Sequence, residues 1–148
     1  METSSDRPPF PPLPDDDPLV KSWGEPGETF WGNFSCVDWG LYLDGARDND
    51  RDRVVKFAER QVIPTDRRLF ILRPAERDAG FVPLRHVRSV ELATIPGKPF
   101  SRDRLVKILF RDETGKEEMV RWFGRRRDME DFITLMNYLA NRPGYQGD

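Results

Sequence analysis

Residues 128–140 are the part of the sequence that most restricts its fold. Their apolar side chains recur at the spacing of one helix face, and they are Met129, Phe132, Ile133, Leu135, Met136, Leu139 and Ala140. Asp128, Glu130 and Asp131 lie in the first turn, where negative charge complements the helix dipole. Asn141 and Pro143 predict the end of the helix. One helix with so wide an apolar face needs a sheet or the mouth of a barrel to cover.

The residues before this helix predict about six or seven short strands. Residues 29–43 are rich in aromatic and β-branched side chains and predict one long bent strand or two short ones. Residues 69–72 form a continuous apolar run, typical of a strand buried on both faces. Residues 104–111 and 117–123 alternate in polarity around a group of turn residues, which predicts a β-hairpin.

The segments between these strands are less regular. Residues 44–53 are nearly all charged or small and predict a surface loop, and apolar residues return over 54–63. Residues 74–80 predict a turn-rich connection, and residues 95–103 a loop with two prolines. In residues 81–92 the apolar spacing changes from three to two, which predicts a single helical turn leading into a strand.

These elements predict a mainly β (α+β) fold. Strands of this length must bury one face and protect their edges. We therefore expect a small antiparallel bent barrel, or two orthogonal sheets, of about seven strands capped by one C-terminal amphipathic helix. The expected domain covers residues 21–142, and residues 143–148 form a short C-terminal tail.

Residues 1–20 are expected to be a disordered tail. Six prolines fall within residues 6–18, and proline fixes φ and removes a backbone donor. Residues 1–20 hold five acidic side chains and one arginine, so the rest of the chain carries about +2 of the total net charge of −2. The alternative is a recognition peptide, because Pro8/Pro11 and Pro9/Pro12 have P-x-x-P spacing.

Composition and motifs argue against several classes of function. The single histidine, His86, and the single cysteine, Cys36, lack the sequence context of catalytic residues, and no nucleotide-binding glycine loop is present. We therefore expect no enzymatic activity, no cofactor and no metal site. A near-neutral body argues against binding to duplex nucleic acid. One cysteine and no signal peptide favour the cytoplasm, and no apolar run is long enough to cross a bilayer.

Two short motifs and a Gly27-Glu28 opening resemble the GRAM and bacterial pleckstrin-homology-like (PH-like) domains. In the first, a T-[DN]-x-R-L strand entry, the matching residues are Thr65, Asp66, Arg68 and Leu69. In the second, an [IV]-P-L-x-x-[IV]-x-x-[IV] segment, they are Val82, Pro83, Leu84, Val87 and Val90. The resemblance covers about residues 24–141 and implies a seven-stranded bent barrel that binds anionic lipid headgroups, peptides or proteins, without catalysis. Residues 44–53 and the tryptophan-rich opening depart from the family pattern.

The candidate binding residues are Trp122 and two groups of arginines. Arg121, Arg125, Arg126 and Arg127 lie within seven residues around Trp122, with no acidic residue among them. Arginine can bind phosphate or carboxylate with two parallel hydrogen bonds. The alternative is a solvated charged face. A second cluster contains Arg85 and Arg88 next to His86, and a weaker third contains Lys98, Arg102 and Arg104.

Two hypotheses for the function follow. The first is a protein-interaction or scaffold module that binds another protein or a peptide. The second is a peripheral membrane module whose arginines bind anionic lipid headgroups. A homo-oligomer is compatible with either hypothesis.

Overall fold

Seven strands and four α-helices form within residues 8–45 and 51–140, which are the residues described by the computed structural model. In chain order the elements are α1 (Pro18–Trp23), β1 (Phe34–Asp38), α2 (Trp39–Gly45), α3 (Arg51–Ala58), β2 (Glu59–Pro64), β3 (Arg68–Arg73), β4 (Asp78–Pro83), β5 (Val87–Thr94), β6 (Asp103–Arg111), β7 (Glu117–Arg125) and α4 (Arg126–Ala140). Short 3-10 turns at Pro74–Glu76 and Leu84–His86 precede β4 and β5.

The strands form one antiparallel sheet in the order β4-β3-β2-β1-β7-β6-β5. Strand β1 joins its two halves: residues 34–37 pair with β2, whereas only Val37 and Asp38 pair with β7. The sheet bends strongly, which is shown by a cavity that both Ile71 of β3 and Phe110 of β6 line. In a flat sheet these two strands would lie about 19 Å apart. The expected mainly β fold with a bent antiparallel sheet is therefore confirmed.

Helix α4 covers the concave side of the bent sheet, as predicted. It contacts β1, β5, β6 and β7. Five of its side chains are buried in the main hydrophobic cluster, and they are Met129, Phe132, Leu135, Met136 and Leu139. The ring of Phe132 makes edge contacts with Phe34 and Trp122. The predicted helix and hairpin are both confirmed, and so is the helical turn that leads into β5.

A buried ion pair connects the chain before β1 to the β2–β3 turn. The Glu28 side chain is 0% exposed and accepts two hydrogen bonds from Arg68, each of 2.8 Å. Its second oxygen also accepts a hydrogen bond of 2.7 Å from the Thr65 hydroxyl. Burial raises the pKa of Glu28, but the hydrogen bonds from Arg68 and Thr65 outweigh burial and lower it overall.

The region before β2 contains helices that the sequence analysis predicted as strand or loop. Within the predicted strand region 29–43, only residues 34–38 are a strand, and α2 begins at Trp39. Asp38 ends the strand because its carboxylate accepts the Leu41 amide, which starts a helical turn. Tyr42 then follows Trp39 by three residues, a helical spacing that stacks the two rings. The predicted loop 44–53 overlaps α2 and α3, and residues 46–50 lie outside the described residues.

Strand β4 begins within residues 74–80, a segment predicted as a turn-rich connection, and includes the last three of those residues. The 3-10 turn Pro74–Glu76 ends at Arg77, whose positive φ of 51° lets the chain reverse into β4. β4 is an edge strand that contains Gly80 and ends at Pro83, residues that are unfavourable in most strands. Pairing with β3 overrides this low propensity.

The prediction of a disordered tail over residues 1–20 differs from the structure over residues 10–20. The Leu13 amide donates to the Phe30 carbonyl at 2.9 Å, and its side chain packs on the cluster around Phe30. Phe10 packs against the main core. The Asp17 carboxylate caps α1 by accepting the Leu19 amide. Residues 1–7, and residues 141–148 with the predicted C-terminal boundary and tail, lie outside the described residues.

Replacing Glu28 with Gln removes the charge that Arg68 faces. We expect E28Q to lower the free energy of unfolding at neutral pH by about 2 kcal/mol, because a largely buried guanidinium loses its main partner. The control is Glu117→Gln, which breaks an exposed ion pair with Arg111 and should cost about 0.5 kcal/mol. Urea denaturation measures both variants, and equal small effects would contradict this role for Glu28.

The same substitution has a defined pH dependence. A carboxylate with a lowered folded-state pKa stabilises the fold above its ordinary value of 4.5, and that stabilisation is lost as pH falls through the folded-state pKa. The stability difference between the wild type and E28Q should therefore shrink as pH falls below 4.5.

The packing of the N-terminal segment is tested by Leu13→Ala. Leu13 is partly buried, so we expect a loss of about 1 kcal/mol in the free energy of unfolding. The control is Leu43→Ala in α2, an exposed leucine that should change stability by less than about 0.5 kcal/mol. An unchanged denaturation midpoint for L13A would show that the segment does not pack on the domain.

Candidate anion-binding site

A basic pocket lies where the β5–β6 connection meets the junction of β7 and α4. The pairing of β6 with β7 sets Asp103 opposite Arg125, so the residues that flank these two strand ends are neighbours. The Arg126 amide also donates to the Arg102 carbonyl at 2.9 Å. The resulting open cavity of about 610 Å³ is lined by Pro99, Phe100, Ser101, Arg102, Arg104, Arg126, Arg127 and Glu130.

The arginines of the basic pocket differ in whether their guanidinium groups form hydrogen bonds or ion pairs within the protein. Arg104 is half-buried and donates to the Ser101 carbonyl at 2.7 Å and to the Asp103 carbonyl at 2.8 Å. Arg126 lies 3.5 Å from the Glu130 carboxylate. Arg102 and Arg127 are exposed, and neither forms an ion pair with another residue in the described part of the chain. Two guanidinium groups therefore keep their donors for an external anion.

The same connection displays an exposed aromatic ring. Phe100 lines the basic pocket and is 97% exposed. Gly97 has a positive φ of 76°, and the Lys98 amide donates to the Ile95 carbonyl at 3.0 Å, so a hydrogen-bonded turn precedes Phe100. Apolar and cationic groups thus lie side by side on one surface.

The structure divides the arginines of the predicted 121–127 cluster. Arg126 and Arg127 line the basic pocket, and Arg125 is exposed at the end of β7 beside it. Arg121 is exposed on β7 opposite Lys107, away from the pocket residues. Trp122 is only 2% exposed and belongs to the hydrophobic core. Its predicted place on a binding surface is corrected, because alternate residues of β7 point into the bent sheet.

Arg85 and Arg88 lie at the other end of β6. Arg85 forms an ion pair of 2.8 Å with Glu113 in the β6–β7 turn, and His86 lies 3.2 Å from the same carboxylate. Hydrogen bonds from Arg85 and His86 lower the pKa of Glu113. Arg88 is exposed near the start of β5. The nine residues of β6 separate this end from the basic pocket by about 27 Å, so the predicted residues do not form one site.

Sequence reasoning treated Arg102 and Arg104 as a separate, weaker cluster and gave Phe100 no role. The signal that links them to Arg126 and Arg127 is the hairpin register. Extending the predicted alternation of β6 and β7 to their outer ends brings residues 102–104 beside residues 124–126.

Cys36 and His86 are placed unfavourably for catalysis. Cys36 is 3% exposed, and burial raises the pKa of its thiol far above the ordinary value of 9.0. His86 contacts an exposed glutamate and not a nucleophile. Within residues 8–45 and 51–140, no group of three or more His, Cys, Asp or Glu side chains is arranged to hold a metal ion. No helix in the described chain combines the length and apolar character needed to span a bilayer.

Comparison with solved structures identifies the fold. The C-terminal domain of an unknown protein from Leishmania infantum is similar with a TM-score of 0.52 and 11% identity, covering 83% of this chain and 95% of that chain. The Vps36 N-terminal PH domain is similar with a TM-score of 0.50 and 14% identity, covering 79% of this chain and 83% of that chain. No family model and no curated protein matches the sequence. The chain therefore has a PH-like fold.

The burial of Cys36 predicts low thiol reactivity. We expect no reaction with Ellman's reagent in the folded protein and one equivalent on addition of guanidinium chloride, because the thiolate is the reactive form and is disfavoured by burial. Absorbance at neutral pH measures the reaction. Stoichiometric labelling of the folded protein would contradict the buried position of Cys36.

Proposed function

We propose that the protein is a non-catalytic binding module whose partner is anionic and binds at the basic pocket. The observation that carries the proposal is the convergence of four arginines from two chain segments around one glutamate, and they are Arg102, Arg104, Arg126 and Arg127. The PH-like fold supports a binding module in general. The motifs that resemble GRAM domains support assignment to that branch of the fold.

The charge distribution supports an anionic partner. The whole chain carries a net charge of −2, so the basic pocket is a local feature and not part of a uniformly basic surface. A local positive region attracts anions and orients their approach. Guanidinium groups without internal carboxylate partners can each bind phosphate or carboxylate through two hydrogen bonds.

The lack of catalytic chemistry around the basic pocket supports a binding role. The residues that line it include one carboxylate, Glu130, which is already beside Arg126. Cys36 is buried in the core, and His86 lies at the opposite end of β6. Among the lining residues the one hydroxyl is that of Ser101, which accepts the Asp103 amide, and no histidine or cysteine is present there to activate it or to act as a nucleophile.

A protein partner is the second candidate, at a different surface. Strand β4 is an edge of the sheet, and the exposed rings of Phe81 and Trp23 flank the same part of the molecule around Phe70. An edge strand can pair with an extended peptide. The Arg68 guanidinium lies 4.9 Å from the centre of the Phe81 ring but is itself largely buried, so the exposed groups of this surface are aromatic.

The proposal is tested by reversing charge at the pocket and elsewhere on the same half of the sheet. The pocket variant is Arg102→Glu with Arg127→Glu, and the matched control is Arg88→Glu with Arg121→Glu. Both variants change the net charge equally and alter exposed side chains. Retention on immobilised heparin at increasing salt, and the heparin Kd at a fixed salt concentration, measure anion binding.

We expect the pocket variant to bind heparin at least about tenfold more weakly, because it replaces two attractive charges with repulsive ones. The control should lose no more than about twofold, which reflects the change in net charge alone. Circular dichroism melting should show that neither variant is destabilised. Equal losses for the two variants would refute a localised site, and no retention of the wild type would refute anion binding.

A further inference from the structure

We propose that the anionic partner is a lipid bilayer and that Phe100 inserts between its headgroups while the basic pocket binds them. This inference rests on the proposed function and names the partner of the same site. Its basis is the placement of a fully exposed aromatic ring beside unpaired arginines on one surface.

Phe100 differs from the other exposed apolar residues of the described chain. Phe57 and Phe81, at 52% and 55% exposed, still bury about half of their surface on the protein. Phe100 is 97% exposed and therefore makes almost no packing contact. Residues 96–99 before it are also exposed, so the ring lies on a projecting part of the β5–β6 connection. A ring in this position contributes little to folding and is available for an apolar partner.

The projecting connection is held by hydrogen bonds on both sides of Phe100. Before it, the Lys98 amide bonds to Ile95, and after it the Ser101 amide donates to the Lys98 carbonyl at 3.1 Å. The Ser101 hydroxyl accepts the Asp103 amide at 3.1 Å, and the Ser101 carbonyl accepts from Arg104. A connection fixed in this way loses little conformational entropy when its tip is immobilised by a partner.

The charges around the ring match the layering of an anionic bilayer. Lys98 precedes Phe100 by two residues, and Arg102 follows it by two. Long basic side chains hold their charge at the level of the headgroups while a neighbouring aromatic ring enters the apolar boundary. An acidic peptide would satisfy the arginines but offers no continuous apolar layer to the ring. A bilayer offers both over one surface.

The first test removes the ring without altering charge. Phe100→Ser is compared with Met119→Ser, which removes an apolar side chain that is 48% exposed on β7. The probes are vesicles of phosphatidylcholine with or without phosphatidylserine, and immobilised heparin as a polyanion that has no apolar layer. Both positions are exposed, so both variants should fold, and melting curves check this.

We expect F100S to bind phosphatidylserine vesicles about tenfold more weakly and to bind heparin as the wild type does. M119S should match the wild type with both probes. Membrane insertion would be overturned if F100S bound vesicles as well as the wild type does. It would also be overturned if the wild type bound heparin but did not bind vesicles. Either result would leave the proposal of anion binding intact. Loss of wild-type heparin binding would instead remove the proposed function itself.

The second test locates the side chain directly. In Phe100→Cys the new thiol can be labelled with an environment-sensitive fluorophore, because Cys36 is buried and its raised pKa disfavours reaction. We expect a blue shift of the emission with phosphatidylserine vesicles and quenching by brominated lipids. Labelled Met119→Cys should show neither. A blue shift with polyglutamate equal to that with vesicles would favour an acidic protein partner and overturn the bilayer.

Discussion

The hydrogen-bonded ion pair between Glu28 and Arg68 is the interaction on which the start of the domain depends. Thr65 completes it: its hydroxyl donates to Glu28 and accepts the amides of Arg67 and Arg68 at 3.0 Å each, so it fixes the β2–β3 turn and the carboxylate together. Phe30 then forms a bridge with Thr65, which aligns the chain before β1 along the hairpin. This alignment buries Phe30 in the cluster on which α1 and the preceding segment pack. A carboxylate without exposure is tolerated there because three directed hydrogen bonds replace its hydration.

The role of this ion pair changes how the GRAM-like motif is interpreted. Thr65, Asp66 and Arg68 are the polar residues of that motif, and each bonds to the segment before β1: Asp66 accepts the Thr29 amide, and the other two contact Glu28. Their donors and acceptors are therefore occupied within the protein. These residues therefore have a structural role, and the basic pocket lies outside the motif. The basic pocket shares no residue with the ion pair, so stability and binding can vary separately.

The sequence predicted the elements whose pattern is local. The spacing of Met129, Phe132 and Met136 identifies α4, and the alternation around residues 112–116 identifies the hairpin. The prediction failed where tertiary contacts override a local preference. Trp39 and Tyr42 have strand-like composition, but they stack on each other in α2 and make edge contacts with Phe123. The prolines near Leu13 suggested disorder, although Leu13 packs on the cluster around Phe30. The basic pocket was found only in part, because it joins two segments that become neighbours through strand register. The burial of Trp122 follows from the same register, since its neighbours Arg121 and Phe123 face the other way.

The contrast between Arg60 and Arg102 shows why the basic pocket is a candidate for binding. Arg60 is buried, and its guanidinium donates to the carbonyls of Phe57 and Glu59 and lies 3.5 Å from Glu76. Such an arginine is a structural residue, because the protein itself satisfies its donors. Arg102 and Arg127 sit among other arginines without a carboxylate partner in the described chain, an arrangement that is unfavourable for folding because like charges repel. The core beneath α4 and the Glu28–Arg68 pair supply stability without them, so the fold does not require this cluster of charge. An anion that binds there would relieve the repulsion, and the exposed Phe100 beside the cluster favours an anion presented on an apolar layer.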